Sequence, residues 1–328
     1  MMEHYVTLFD SLFLPQGMAL HISMERHIKD YTLWILCVDD EAYDVLTKLQ
    51  LANVRLLQLS TLETEELLRV KPTRSKGEYC WTLTPFAPRF VFEADATVHR
   101  VTYLDADLWF RKHPKPIFDE FEASGKHVLI TDHAYAPEYD QSATSGQYCV
   151  QFMTFSRHAG EEVRKWWEER CIEWCYARHE DGKFGDQKYL DDWPDRFANS
   201  VHVLANKEYA LAPWNATRFP YSAAIFYHFH GLRIFKKRKK YYVFNGTYFI
   251  PKPTYRYIYK LYLNDLQGSI FLFLKMGAIL RNQKNMWFGY NFFTFLKVLY
   301  SKLFRLNVYA SLCYVYLKPN LKAVNYNN

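Results

Sequence analysis

Two carboxylates one residue apart, Asp105 and Asp107, close the apolar run HRVTYLDADLWF at positions 99–110. Hard divalent cations such as Mg2+ and Mn2+ take carboxylate oxygens and complete their coordination with water and phosphate oxygens. On an extended backbone, side chains at i and i+2 project to one side, so both acids reach one ion if the strand ends at Leu104. The pair therefore predicts a metal clamp on a nucleotide diphosphate. Position supports this, because ligands of open α/β sheets bind at the carboxyl ends of strands. Paired acids also decorate solvated turns, so the assignment depends on what the rest of the chain brings to them.

The elements that must deliver these acids alternate between strand and helix over the first two thirds of the chain, the pattern of an α/β sheet with crossover helices. Strands are expected at Tyr5–Phe9, Thr32–Val38, Val54–Leu59, the run ending at Leu104, Val128–Thr131 and Cys149–Phe155. Helices are expected over Met18–His27, Asp39–Leu49, Glu63–Val70, a stretch at 78–95 interrupted by Pro85 and Pro88, and a Trp-rich amphipathic segment at Gly160–Arg178. The loop EDGKFGDQKYLDDWP follows, and no internal repeat appears.

With 328 residues, 49% hydrophobic and 23% charged, the chain is long and apolar enough for a full core and is not globally disordered. Its net charge of +6 hides a division: residues 233–328 carry 17 Lys or Arg against the single acid Asp265, whereas residues 1–232 carry 24 basic and 34 acidic side chains. Six cysteines, Cys37, Cys80, Cys149, Cys171, Cys175 and Cys313, fall in predicted core elements without a framework spacing, which favours buried thiols. The first residues, MMEHYVTLFDSLF, lack the basic start and apolar stretch of a signal peptide. The best membrane-span candidate, SIFLFLKMGAIL at 269–280, is short and interrupted by Lys275. A cytoplasmic catalytic part is expected.

The C-terminal third is different in kind, with 24 aromatics among 96 residues, interleaved with Lys and Arg. Tyr255–Leu266 and Phe292–Phe304 read as amphipathic helices. Such a segment either packs its aromatics inward or lies on an anionic membrane surface, where rings sit at headgroup level and cations meet lipid phosphate. The second is favoured; nucleic acid, which would also suit the charge, is not expected as a partner.

Four elements in one order carry a resemblance: a first strand with Asp10 at its end, LDADLWF, FGDQKYLDDWP, and YHFHG at 227–231. Together they resemble retaining glycosyltransferases of family 8, a group that includes bacterial lipopolysaccharide galactosyl- and glucosyltransferases and glycogenin. The resemblance covers residues 4–236. It implies a GT-A nucleotide-diphospho-sugar transferase fold, a Rossmann-like mixed sheet flanked by helices, over 1–236, with a basic, aromatic, mainly helical extension at 237–328. It further implies that Asp105, Asp107 and His228 hold Mn2+ or Mg2+, with His230 as the competing ligand, and that Gly231 and Arg233 meet the diphosphate. Thr7, Phe9, Asp10, Phe13, Lys76 and Trp81 become nucleotide contacts. Asp186 and Gln187 take the place beside the transferred sugar, although Asp186 also suits a helix N-cap. Gln151 stands where the family has an acceptor-side Asn.

The expected function follows from the resemblance: transfer of a sugar from a nucleotide-diphosphate donor, UDP by family habit, to a glycan or glycolipid of the cell surface, on the inner face of the membrane. A sugar-phosphate nucleotidyltransferase is the alternative enzyme, but it calls for a Gly-rich loop with a cation after the first strand, and DSLFLPQG has one Gly and no cation. A non-catalytic membrane-binding protein on the same scaffold is the third reading.

Overall fold

Every residue of the run YTLWILC at Tyr31–Cys37 is buried, as a strand covered on both faces requires. The structure, a computed structural model, describes residues 2–237, 240–278, 280, 283 and 315–316. Its strands in chain order are β1 (Glu3–Phe9), β2 (Tyr31–Cys37), β3 (Val54–Gln58), β4 (Arg100–Leu104), β5 (Leu108–Phe110), β6 (Val128–Asp132), β7 (Tyr148–Ser156) and β8 (Val201–Val203), then β9 (Ala210–Leu211), β10 (Phe226–His228), β11 (Arg233–Lys237) and β12 (Lys240–Phe244). Among the described residues, a seven-stranded mixed sheet runs β3-β2-β1-β4-β7-β6-β8, with β7 antiparallel to both β4 and β6. This is the expected α/β architecture of the GT-A fold. The chain leaves β1 toward β2 and β3, then returns to place β4 on the other side of β1. The crevice at the carboxyl ends of β1 and β4 is thus a topological switch point, where α/β sheets bind ligands.

Local signals place the helices. Asp39 caps the helix Asp40–Leu49 by accepting the Ala42 N–H at 3.0 Å. Ser75 and Glu78 form a reciprocal capping box that starts Lys76–Leu83. The stretch expected at 78–95 is two helices, Lys76–Leu83 and Phe86–Ala94, broken at Pro85; proline lacks the N–H that a continuing helix needs.

A smaller sheet, β5-β10-β9, was not foreseen. Its strands are two or three residues long and pair residues far apart in sequence, so periodicity carried no trace of them. A hairpin of β11 and β12 follows, onto which Val315–Tyr316 pairs.

Residues 252–275 are helical throughout, as Lys252–Thr254, a π-wound turn Tyr255–Tyr259 and the helix Lys260–Lys275. Its buried face, Tyr259, Tyr262, Leu263, Leu266, Ile270 and Phe273, belongs to the same apolar cluster as Leu20, Trp109 and Tyr227. Burying side chains of this kind stabilises by about 1.5–3 kcal/mol each. Asp265, the lone acid of the C-terminal third, receives both Arg26 guanidinium nitrogens and the Trp109 indole N–H, at 2.8–3.1 Å. The second expected helix, Phe292–Phe304, and Cys313 lie outside the described residues; the other five cysteines are free thiols. No described helix is long and apolar enough to cross a membrane.

Candidate functional site

The strand carrying the two acids ends at Leu104, as expected, but Asp105 and Asp107 do not sit on extended chain. The Leu108 N–H returns to the Asp105 carbonyl at 3.1 Å, so Asp105–Leu108 is a tight turn that reverses the backbone into β5. Alternation along a strand is therefore not what brings the carboxylates together; the turn is. β5 then pairs with β10, setting His228 opposite Leu108, and the Phe229 N–H donates to the Asp107 carbonyl at 2.9 Å. That pairing closes a gap of some 120 positions and explains why β10 ends beside the two acids.

His228 Nε2 lies 3.1 Å from Asp107 Oδ1 and 3.6 Å from Asp105 Oδ2. One ligand atom from each of Asp105, Asp107 and His228 falls within 4.8 Å of the others. Two carboxylate oxygens and an imidazole nitrogen at this spacing fit a divalent cation. His230, the competing candidate, is outside this group; its ring packs edge-on against Trp214.

The electrostatics match a site built for a positive guest. Burial pushes the Asp105 carboxyl up to about 6, with the neighbouring Asp107 charge adding to the effect against the pull of His228. Burial also opposes charge on Asp107, yet His228, with His230 and Arg233, holds that carboxyl down at about 2. Burial works against the His228 imidazolium too, but Asp107 and Asp105 keep its pKa well above the ordinary value. The two carboxylates thus favour the protonated form of His228 in the metal-free protein. Tyr103 Oη donates to Asp105 Oδ1 at 3.0 Å and fixes that carboxylate.

Asp186 lies within electrostatic reach of Asp105. It is 3% exposed, its Oδ2 has no hydrogen-bond partner, and burial together with the Asp105 charge raises its carboxyl to about 7. A buried oxygen without a partner is costly unless something binds to it. Gln187 is committed elsewhere: its Nε2 donates to the Ser145 carbonyl at 2.6 Å. Trp81, expected at the nucleotide, lies under this segment. Gly185 crosses its ring at φ +54, and a Cβ there would come within 3.3 Å of the indole.

The other expected contacts divide. Asp10, at the end of β1, accepts from the Leu12 N–H at 3.0 Å and pairs with Lys76 Nζ at 2.7 Å. Lys76 also reaches Asp39 Oδ2 at 3.3 Å, and Asp39 accepts from both the N–H and the hydroxyl of Ser11. Asp39 was read only as a helix start, yet it follows β2 as Asp10 follows β1, which was the available signal. Thr7 and Phe9 are 0% and 3% exposed within the core. Phe13 sits at the loop surface under the Arg233 guanidinium, 5.9 Å from the ring center. Gly231 adopts φ +78, and its missing Cβ faces Gly246 at 3.8 Å, so two glycines with left-handed backbones pack together beside His230. Gln283, unanticipated, ties β11 to the loop after β1: its Oε1 accepts from the Ile234 N–H at 2.8 Å and its Nε2 donates to the Leu12 carbonyl at 3.0 Å.

Gln151 requires correction. Placed on the acceptor side by resemblance, it is fully buried, and its Oε1 lies 2.9 Å from His228 Nδ1. A side chain without exposed surface offers nothing to an acceptor.

A GT-A sheet whose switch-point strand ends at two carboxylates grouped with an imidazole describes the class of this protein. Its fold resembles that of the galactosyltransferase LgtC, solved with donor and acceptor sugar analogs, at a TM-score of 0.50 and 12% identity over 80% of this chain and 95% of that one. No protein-family model matches the sequence. The chain belongs to the family of the uncharacterized protein YfnF of Bacillus subtilis (strain 168), to which it is 33% identical over 253 residues, 71% of this chain and 83% of that protein. The uncharacterized protein YfnD of the same strain is 28% identical over 289 residues, 81% of this chain and 89% of that protein.

Proposed function

We propose that the protein is a metal-dependent glycosyltransferase that moves a hexose from a UDP-sugar to a cell-surface glycan or glycolipid with retention of configuration, as family 8 enzymes do. The observation that carries this reading is the convergence of Asp105, Asp107 and His228 at the switch point, beside the partnerless carboxyl oxygen of Asp186. The fold shared with the sugar-transferring LgtC supports it.

Sugar transfer passes through an oxocarbenium-like state while negative charge grows on the departing diphosphate. Mn2+ suits the mixed oxygen and nitrogen donor set and, when bound, neutralises that charge. Arg233, close enough to Asp107 to lower its pKa, adds positive charge on the same side. Asp186 is the residue for the sugar. Burial and the Asp105 charge raise its carboxyl in the metal-free protein; its carboxylate form supports positive charge at the anomeric carbon, and its neutral form donates a hydrogen bond. Asp10, at the mouth of β1, serves the base, and the ring of Phe13 is placed to cover it.

An anionic membrane surface is the proposed meeting place with the acceptor. The outward face of residues 252–264 carries Arg256 and Lys260 beside Tyr257 and Leu261, which are 41% and 49% exposed. Cations next to exposed apolar side chains are what an interfacial helix presents to lipid. Cosedimentation with vesicles containing phosphatidylglycerol, lost in Arg256→Glu/Lys260→Glu, tests this; unchanged binding overturns it.

The activity is tested by thermal shift with UDP-, GDP-, dTDP- and CMP-sugars, with and without Mn2+. A Mn2+-dependent rise with a UDP-hexose, followed by UDP release, is expected. No response to any donor defeats the reading. Proton NMR of the new linkage then decides retention: an α-donor must give an α-product.

A further inference from the structure

The role that the structure does give to Gln151 goes beyond its burial. Its backbone carbonyl accepts the Asp105 N–H at 3.0 Å, and its side-chain Oε1 accepts from His228 Nδ1 at 2.9 Å. One residue of β7 therefore holds two of the three cation ligands. The orientation of its amide follows from the far end of the chain of bonds. The Thr131 hydroxyl donates to the Cys149 carbonyl at 3.3 Å, so its oxygen is left to accept, and Gln151 Nε2 lies 3.4 Å from it. With the amide nitrogen committed to Thr131, the amide oxygen faces His228. An amide oxygen only accepts, so the hydrogen of the neutral ring sits on Nδ1 and the lone pair of Nε2 points toward Asp105 and Asp107.

We propose that Gln151 is the positioning residue of the cation site: through the series Cys149–Thr131–Gln151–His228 it locks the imidazole in the tautomer and orientation that bind metal. Metal-bound histidines are commonly held in this way through their second nitrogen, and loss of the partner costs about 10–100-fold in metal affinity. The proposal rests on Asp105, Asp107 and His228 being a cation site.

The test is Mn2+ affinity of the full-length protein, measured from the free-ion electron paramagnetic resonance signal, with the 14N coupling of bound Mn2+ read by electron spin-echo spectroscopy. Gln151→Leu is expected to weaken binding about 10–100-fold and to alter the coupling. Gln151→Glu keeps an acceptor on Nδ1 and is expected to stay within about threefold of wild type, whereas Thr131→Val frees the amide and is expected to weaken binding by roughly a third to a half as much on a logarithmic scale. Wild-type affinity and coupling in Gln151→Leu overturn the proposal, as does equal loss in the Leu and Glu variants, which would mean packing alone. If Gln151→Leu does not fold, retained affinity in Gln151→Glu with loss in Thr131→Val supports the proposal, and any other pattern in that pair overturns it. A wild-type protein that binds no Mn2+ instead removes the cation-site reading on which the proposal stands.

Discussion

Two carboxylate clusters stand at the carboxyl ends of neighbouring strands, and they solve their charge in opposite ways. At the end of β4, Asp105 and Asp107 face the buried imidazole of His228, with the Tyr103 hydroxyl on Asp105 and the Arg233 charge within reach of Asp107. At the ends of β1 and β2, Asp10 and Asp39 share Lys76, whose side chain is more than half exposed. The second cluster carries its own permanent cation. The first is offset only in part by His228, whose protonated form the two carboxylates favour, and a divalent ion would take the place of that proton. Acidic residues at a switch point are thus not interchangeable: one pair is held by a lysine ammonium, the other faces a titratable imidazole. Lys76, expected on the nucleotide, is held between two acids.

The largest effect should come from removing one acid of the first cluster. Asp107→Asn leaves the turn and its hydrogen bonds in place but discards a charge that faces the cation, and should lower donor turnover about 10²–10³-fold. It should also abolish the Mn2+-dependent rise in Tm. A variant that keeps both would make the first cluster as self-contained as the second, and the contrast would fail.

A smaller effect, specific to the first cluster, is its response to pH. Folding raises the His228 pKa above its ordinary value, so its proton stabilises the metal-free protein fully below pH about 6.5 and ceases to as pH rises through the folded value. Metal must displace that proton. Mn2+ affinity should therefore climb with pH by up to about tenfold per unit, and should fall steeply below about 6, where Asp105 also becomes protonated. Calorimetry in buffers of different ionisation enthalpy reads the proton count directly. About one proton released near neutrality is expected, and none would mean that His228 is already neutral and the contrast in charge is wrong.

The same contrast shows what was legible in the sequence. Most sheet strands and helices were, because β1, β2 and β7 are apolar runs and Asp39, Thr64 and Ser75 announce helix starts. The acids at 105 and 107 were legible as a strand end. Their turn was not, since alternation and reversal use the same residues over so short a span. His228 was found through resemblance, while the strand that delivers it is three residues long and pairs with chain 118 positions earlier. Gln151 was misplaced for the same reason: its partner is 77 positions away, and no local pattern distinguishes an acceptor contact from a buried clamp.

The smallest effect should come from the self-contained cluster, and its smallness is the point. Lys76→Met removes a half-exposed ammonium from Asp10 and Asp39, an interaction worth no more than about 1 kcal/mol after solvent screening. Mn2+ affinity should not change, because no ligand atom of the first cluster touches Lys76. If Asp10 meets the base as proposed, donor KM should rise a few-fold while kcat holds, because Asp10 loses the partner that fixes it at the mouth of β1. Steady-state kinetics at saturating Mn2+ separates these terms. A fall in kcat as large as that of Asp107→Asn would mean that Lys76 leaves its acids for the diphosphate during turnover, and the two clusters would then have to be treated as one site divided by the loop at 10–13.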